Sequence, residues 1–136
     1  MKPLYIGIDG GGTRTTAAVA DASGRELARI TGAAGLVDPR WPLAAVETII
    51  RLVRELLLEV GSPPPVEALC AGLAGTGIPE SREAVRHALE ASGVARRILL
   101  CSDGEIALEG ALPDRAGILL VSGTGSIAWG RGEDGR

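Results

Sequence analysis

A run of three glycines follows the first acidic residue of the sequence, within Asp9–Thr15. Because Gly10, Gly11 and Gly12 have no Cβ atoms, the backbone can bend sharply there and its N–H groups can converge on an anion. The pattern predicts a turn that binds phosphate. A plain glycine-rich hairpin turn is the alternative, because short glycine motifs often occur without a ligand.

The side chains around these glycines suit the same ligand. Thr13 and Thr15 offer hydroxyl donors, and the guanidinium of Arg14 can offset the charge of a phosphate. Asp9 can hold Mg²⁺ through water, because this hard cation dehydrates reluctantly. We therefore expect a site for phosphate and Mg²⁺; in the alternative, Asp9 only hydrogen-bonds the turn.

A second glycine-rich turn, near the end of the sequence, repeats this chemistry. It lies between two apolar runs and reads Ser122-Gly123-Thr124-Gly125-Ser126. For this segment alone, a tight turn without a ligand is an equal alternative. Two turns that each combine glycine with threonine could hold one polyphosphate from two sides.

Another carboxylate, Asp103, follows an apolar run and precedes a helical pattern. At the end of a buried strand it would face the crevice where α/β proteins bind ligands. There it can act as the general base that accepts the proton of a hydroxyl during phosphoryl transfer. Local sequence alone favours a helix N-cap instead. Glu105 suits the positive end of the same helix.

A loop after an earlier apolar run, containing Gly75 and Thr76, is a candidate for binding an acceptor substrate. Its glycines would let backbone groups line a site. A simple connection between a strand and a helix is equally favoured.

Short apolar runs alternate with longer amphipathic segments along the sequence. The runs predict strands over 4–9, 15–20, 25–32, 66–72, 98–102, 117–122 and 127–131. Helical spacing of leucine, isoleucine and valine predicts a helix from Pro42 to Gly61, where three prolines then prevent continuation. Shorter helices are predicted over 79–92 and 105–112.

This order is β-β-β-α-β-α-β-α, followed by a new hairpin. Three antiparallel strands followed by βα units predict an α/β fold, a ribonuclease H-like mixed sheet flanked by helices. The last hairpin repeats the opening one. We therefore expect residues 1–116 to form an N-terminal lobe and residues 117–136 to begin a second lobe, of which the first hairpin is present.

Net charge, the length of apolar runs and the spacing of cysteines argue against several classes of protein. The net charge is −3 and arginine is scattered, so we expect no nucleic-acid partner. No apolar run reaches the roughly 18 residues of a membrane span, and no secretory signal is visible, so we expect a cytoplasmic protein. Cys70 and Cys101 have no histidine or cysteine neighbours at metal spacing, which disfavours a zinc motif.

Taken in order, these segments resemble those of a known family. Residues 9–15 resemble the first phosphate motif of the actin-like ATPase superfamily, and residues 122–126 resemble its second. Asp103 stands where sugar kinases of this group place their catalytic aspartate. The segments DGGGTRT, GLAGTG, SDGEIAL and SGTGSIAWG resemble the BadF/BadG/BcrA/BcrD ATPase family, which includes N-acetylglucosamine kinases.

The resemblance implies that ATP and Mg²⁺ bind between two lobes, with Thr13 and Thr124 on the nucleotide phosphates. It implies that Asp103 binds a sugar and deprotonates its 6-hydroxyl, and N-acetylglucosamine is the leading candidate for that sugar. Sugar kinases of the family use an asparagine from the loop after the third strand. Residues 33–38 hold none here, and Asp38 is the candidate substitute. We expect sugar and ATP as ligands, a homodimer, and little activity from these 136 residues alone.

Two other functions share this fold. A partner-activating ATPase of the same family would carry cluster-ligating cysteines near and beyond the second-lobe motifs, and Cys70 and Cys101 lie elsewhere. A sugar-sensing regulator would carry a DNA-binding segment ahead of Met1, and we expect none. A sugar kinase is the leading hypothesis.

Overall fold

The computed structural model describes residues 2–122 and 126–136, with the backbone alone for Ser126. Its strands are β1 (Leu4–Gly10), β2 (Thr15–Asp21), β3 (Glu26–Gly32), β4 (Val66–Leu73), β5 (Ala95–Cys101), β6 (Gly117–Ser122) and β7 (Ser126–Arg131). Its helices are α1 (Leu43–Glu59), α2 (Pro79–Ser92) and α3 (Asp103–Ala111). The predicted order of elements is confirmed.

The first five strands form one mixed sheet in the order β3-β2-β1-β4-β5. β1 pairs antiparallel with β2 and parallel with β4, which in turn pairs parallel with β5. The predicted ribonuclease H-like sheet is therefore confirmed. Because the carboxyl ends of β1, β4 and β5 meet at one edge, Asp9 lies beside Gly72, and Gly72 lies beside Cys101.

One face of the sheet is covered by two helices. α1 packs on β2 and β3, while α2 packs on α1 and β5. The layer between them is aliphatic, as a sequence without phenylalanine requires, and its largest fully buried side chains include Ile8, Ile49, Leu52, Leu56, Leu69, Leu73 and Leu89. Each such side chain contributes about 1.5–3 kcal/mol through removal from water, which makes this layer the main source of stability.

α3 lies on the opposite face, at the carboxyl ends of the strands, where it contacts β1 and β4. A Cβ added to Gly72 would lie 2.6 Å from the Cβ of Ile106 and 3.0 Å from the carbonyl oxygen of Ser102. Since no side chain fits in this space, the glycine lets the first turn of α3 rest directly on β4.

The fifth strand begins three residues earlier than predicted. Gly93 ends α2 in a left-handed conformation with φ of 69°, and Ala95 then pairs at once with Val66. Arg96 and Arg97 interrupt the apolar pattern, but β5 is an edge strand and both side chains extend into solvent. The third helix begins at Asp103 rather than at Glu105.

The predicted last hairpin is also present, as a separate two-stranded sheet of β6 and β7. It packs on α3. That residues 117–136 begin a second lobe stays a prediction. Among the described residues, no helix has the length and apolar character needed to cross a membrane.

Candidate active site

The turn between β1 and β2 carries free backbone donors. The N–H of Gly11 donates to the carbonyl of Arg14 at 2.9 Å, which closes the turn. The N–H groups of Gly12, Thr13 and Arg14 have no acceptor among the described residues, and all three residues are exposed. Donors for an anion are thus offered by residues 12–14, and Gly10 and Gly11 shape the turn that presents them.

Two neighbouring loops hold this turn through its carbonyl groups. The carbonyl of Gly10 accepts the N–H of Ala74 at 2.9 Å, and that of Gly11 accepts the N–H of Gly35 at 3.1 Å. A Cβ on Gly10 would lie 2.6 Å from Leu73 Cδ2 and 3.2 Å from the carbonyl oxygen of Gly35. The glycine therefore allows β1, β4 and the loop after β3 to meet at one point.

The burial of Thr15 does not fit its predicted role as a hydroxyl donor to phosphate. Its side chain is fully buried, on the same face of β2 as Ala17 and Val19. Its Oγ1 lies under Gly35, where an added Cβ would be 2.5 Å away, and has no hydrogen-bond partner among the described residues. A phosphate in the cleft cannot reach this hydroxyl, whereas Thr13 is exposed.

Two carboxylates, those of Asp9 and Asp103, lie near the carboxyl edge of the sheet. Partial burial raises the pKa of Asp9, and the negative charge of Asp103 raises it further, while the guanidinium of Arg14 lowers it. The predicted residues Arg14 and Asp103 are therefore both close enough to Asp9 for their charges to affect its ionisation. Without a ligand, this environment disfavours the ionised form of Asp9, and a bound cation would stabilise that form.

This pair of carboxylates suits Mg²⁺ held together with a phosphate. In the described part of the chain, no group of three or more histidine, cysteine, aspartate or glutamate side chains is placed to hold a metal by itself. Mg²⁺ commonly binds through one or two carboxylates, several waters and the phosphates of a substrate. Asp9, beside the free donors of residues 12–14, fits that pattern.

The start of α3 leaves the carboxylate of Asp103 available. Ser102, not Asp103, is the N-cap: its Oγ accepts the N–H of Glu105 at 3.1 Å, and Glu105 Oε2 accepts the N–H of Ser102 at 2.7 Å. The N-cap alternative for Asp103 is therefore wrong, and the structural role expected of Glu105 is confirmed. Asp103 occupies the first helical position, exposed, with one oxygen accepting the N–H of Gly104 at 3.1 Å.

The two candidate substrate loops lie side by side. The N–H of Val37 donates to the carbonyl of Ala74 at 2.9 Å, and Gly75 has a φ of 82°, which favours glycine. A Cβ on Gly75 would also lie 3.1 Å from the carbonyl carbon of Val37. The hydroxyl of Thr76 is buried and donates to the carbonyl of Leu73 at 3.0 Å, so it stabilises the loop itself.

Asp38, at the end of the first of these loops, is held by Arg40. Two oxygens of its carboxylate accept the guanidinium at 3.1 and 2.7 Å, and one also accepts the Arg40 N–H at 2.8 Å. These hydrogen bonds lower the pKa of Asp38, so it remains ionised. Arg40 lies over the ring of Trp41, 5.2 Å from its centroid. Arg40 therefore holds the Asp38 carboxylate in place and occupies some of its hydrogen-bond acceptor sites.

The second glycine-rich turn cannot be placed in the same way. Gly123, Thr124 and Gly125 lie outside the described residues, as does the side chain of Ser126. The strands that lead into and out of the turn are formed and pair from Gly117 with Arg131 to Ser122 with Ser126.

Asp9→Asn should raise thermal stability at pH 7 without nucleotide or Mg²⁺. The raised pKa means that the folded state binds the proton more tightly than the unfolded state, so ionisation of Asp9 costs stability as pH rises through the folded pKa. The gain should be a fraction of about 1 kcal/mol, because the Asp9 carboxylate is only partly buried and water screens its charge. It should vanish below about pH 4, where the wild-type carboxyl is protonated.

Thermal unfolding followed by circular dichroism at both pH values measures this difference. Asp21→Asn is a control of opposite sign, because hydrogen bonds from Ser23 lower the pKa of Asp21. That variant should lose stability at pH 7 and approach the wild type in acid. A stability gain for Asp9→Asn that is larger in acid than at pH 7 would contradict the electrostatic account.

Two sugar kinases match the sequence over nearly the whole chain. An N-acetylmuramic acid/N-acetylglucosamine kinase of Clostridium acetobutylicum is 32% identical over 136 residues, covering 96% of this chain and 43% of that protein. An N-acetyl-D-glucosamine kinase of Dictyostelium discoideum is 28% identical over 144 residues, covering 98% of this chain and 45% of that protein.

A solved structure of a candidate N-acetylglucosamine kinase from Chromobacterium violaceum superposes with a TM-score of 0.80 at 27% identity. The match covers 99% of this chain and 47% of that one, so the chain spans less than half the length of these relatives. The sequence model of the BadF/BadG/BcrA/BcrD ATPase family matches residues 6–136. Because this match includes almost every residue, the chain belongs to the BadF/BadG/BcrA/BcrD ATPase family.

Proposed function

We propose that the protein containing this chain is a kinase that transfers the γ-phosphoryl group of ATP to a hydroxyl of N-acetylglucosamine or a related N-acetylated amino sugar. The observation that carries the proposal is the position of Asp103. It lies at the first position of a helix that is capped by another residue, close enough to Asp9 for its charge to raise the pKa of that carboxyl. The names of the relatives support the acceptor class.

Residues 12–14 bind the nucleotide phosphates in this proposal. Their N–H groups are exposed and unpaired within the described residues, and the Thr13 hydroxyl and Arg14 guanidinium add donors. Thr124 and its neighbours would contact the phosphates from the second turn. Asp9 would hold Mg²⁺ through water, and the ion would neutralise charge on the phosphate oxygens.

Asp103 acts as the general base. Its carboxylate accepts the proton of the attacking sugar hydroxyl while the hydroxyl oxygen bonds to the γ-phosphorus and the bond to the bridging oxygen of ADP breaks. The capping box of Ser102 and Glu105 keeps this carboxylate free for that purpose. Asp103 would also orient the hydroxyl before transfer, which is the larger part of catalysis in reactions of this type.

The loops around Asp38 and Gly75 position the sugar. Asp38 remains ionised beside Arg40, and its free lone pairs can accept hydrogen bonds from sugar hydroxyls. Gly75 offers backbone groups, whereas the Thr76 hydroxyl is already in use. The expected homodimer and the cytoplasmic location stay predictions.

ADP release by the complete protein with Mg-ATP should depend on an added sugar. A panel of N-acetylglucosamine, N-acetylmuramic acid, N-acetylmannosamine, glucosamine and glucose would identify the acceptor, with phosphorylated sugar measured alongside ADP. Release that is equal with every sugar and without one would contradict a kinase and favour the partner-activating ATPase.

Asp103→Asn should lower phosphoryl transfer by about 10²–10⁴-fold, because the amide cannot accept the hydroxyl proton. The affinity for Mg-ATP should change by less than about threefold. Steady-state kinetics and calorimetry separate the two effects. Asp114→Asn is the matched control, since Asp114 is exposed in the loop after α3 and asparagine tolerates its positive φ of 51°. Activity of Asp103→Asn within a few-fold of the wild type would exclude this residue as the base.

Gly12→Val should weaken Mg-ADP binding at least about tenfold, or 1.4 kcal/mol. A Cβ at Gly12 meets nothing within 4 Å, so the fold should tolerate the change while the branched side chain covers the exposed N–H groups. Gly7→Val is the control, because Gly7 lies within β1, away from the turn, and is equally open. Equal affinities of both variants, measured by calorimetry, would mean that the turn does not bind phosphate.

A further inference from the structure

The two cysteines of the sequence, 31 residues apart, are neighbours in the folded chain. Cys70 lies on β4, and Cys101 is the last residue of β5. In the parallel pairing of these strands Cys70 is opposite Leu99 and Gly72 is opposite Cys101. The two cysteines are therefore on adjacent strands, offset by two residues, with their side chains on the same face of the sheet.

The thiol of Cys101 shares its proton with two acceptors. Its Sγ lies 3.8 Å from the carbonyl oxygen of Ala71, and it also forms a hydrogen bond with the sulfur of Cys70. That hydrogen bond lowers the pKa of Cys70 to about 7, although burial and the charge of Glu105 oppose ionisation. The same hydrogen bond raises the pKa of Cys101. The pair thus joins a cysteine that ionises easily to one that keeps its proton, and the thiolate is the reactive form.

We propose that Cys70 and Cys101 are a site of reversible oxidation, and that a disulfide between them displaces Asp103 and lowers the turnover of the kinase. Formation of the disulfide does not depend on what the protein catalyses. Its effect on turnover rests on the proposed kinase function.

The oxidation is a two-electron reaction with a peroxide. The Cys70 thiolate attacks one peroxide oxygen, the O–O bond breaks, and the hydroxide that leaves takes up a proton to become water. The sulfenic acid formed on Cys70 is then attacked by the Cys101 sulfur; the S–S bond forms and the Cys101 proton leaves with the hydroxyl group as a second water. Both sulfurs are oxidised, and the peroxide is reduced to two waters.

The pair is open to small oxidants from the side of α3. Both cysteines are only partly buried. Cys101 lines an open cleft at the surface, together with Glu105 of α3 and Trp129 of β7. A peroxide can therefore reach the sulfurs without unfolding of the sheet.

Closing the disulfide requires movement of the backbone. Two residues of offset between neighbouring strands place the Cα atoms about 8 Å apart, whereas a disulfide joins Cα atoms about 4.4–6.8 Å apart. β4 is held between β1 and β5, but β5 is an edge strand. The end of β5 is therefore the part that moves, by on the order of 1 Å.

This movement reaches the proposed base directly. Ser102, the N-cap of α3, and Asp103 follow Cys101 in the chain, and the carbonyl of Ser102 rests beside Gly72. A shift of Cys101 along its strand must pull on this contact and on the first turn of the helix. A misplacement of on the order of 1 Å can lower turnover as much as about 10²-fold.

Oxidation of the complete protein with diamide, followed by alkylation of the remaining thiols and digestion with trypsin, tests the disulfide itself. Cys70 and Cys101 lie in separate tryptic peptides, residues 55–82 and 98–115. Mass spectrometry should detect the two peptides joined, and dithiothreitol should separate them. Recovery of both peptides alkylated and unjoined after diamide treatment would overturn the site.

The joined protein should show kcat at least tenfold lower, with KM for Mg-ATP within threefold of the reduced protein, and dithiothreitol should restore kcat. Cys70→Ser and Cys101→Ser are the matched controls, because neither side chain touches a substrate and serine keeps a donor at each position. Without diamide both variants should retain kcat within twofold, and diamide should not lower it. If Cys101→Ser does not fold, Cys70→Ser alone supplies the control. A joined protein with unchanged kcat, or an equal loss in a serine variant, would contradict displacement of Asp103.

Hydrogen exchange measures the displacement without any turnover. The N–H of Glu105 donates to Ser102 Oγ, and that of Ile106 donates to the Ser102 carbonyl at 3.3 Å. Both amides should exchange at least tenfold faster in the joined protein, and unchanged exchange would overturn the displacement. Absence of sugar-dependent ADP release by the reduced wild type would instead overturn the proposed function, while the joined peptides and the faster exchange would still establish the switch.

Discussion

The close approach of α3 to β4 at Gly72 sets the position of Asp103 relative to the rest of the candidate site. Gly72 stands in the sheet between Asp9 on β1 and Cys101 on β5, and Ile106 of α3 rests where a side chain at position 72 would be. A larger residue would lift the amino end of the helix away from the sheet edge, and Asp103 would move with it. The interaction between the charges of Asp9 and Asp103 therefore depends on the absence of a side chain at Gly72.

That proximity makes the unbound site electrostatically unfavourable. Burial and the charge of Asp103 both oppose ionisation of Asp9, and the guanidinium of Arg14 compensates in part. Two neighbouring loops hold the turn in place, because the carbonyl groups of Gly10 and Gly11 accept hydrogen bonds from them. Sites that bind charged ligands commonly keep such unfavourable pairs, because a bound cation and phosphate reverse the sign of the interaction.

The alternation and helical spacing of the sequence sufficed to predict the order of elements and the sheet. The same alternation, which places Thr15 on one face with Ala17 and Val19, could have indicated that its hydroxyl is buried. Ser102 followed three residues later by Glu105 is the sequence pattern of a capping box, and it could have identified the N-cap. In the first case the chemistry of the motif outweighed the local signal, and in the second case the preference of aspartate for the N-cap position did.

The contacts of Gly35, Gly72 and Gly104 could not have been predicted in this way. Each depends on a segment distant in sequence that approaches the glycine: Thr15, Ile106 and Trp129 respectively. A sequence shows that a position lacks a side chain, but it does not show what fills the space. Arg96 and Arg97 concealed the start of β5 for a related reason. Charged side chains are compatible with an edge strand, and that β5 is an edge strand is seen only from the order of the strands in the sheet.

The two hairpins that resemble each other in sequence are held in different ways. β1 and β2 are central strands of the five-stranded sheet, whereas β6 and β7 form a separate sheet whose contacts are chiefly with α3. The position of β6 and β7 relative to the five-stranded sheet therefore depends on α3, and this helix also carries Asp103. α3 also contacts β1 and β4, so it is the element that joins the two sheets, and Asp103 lies at its first position.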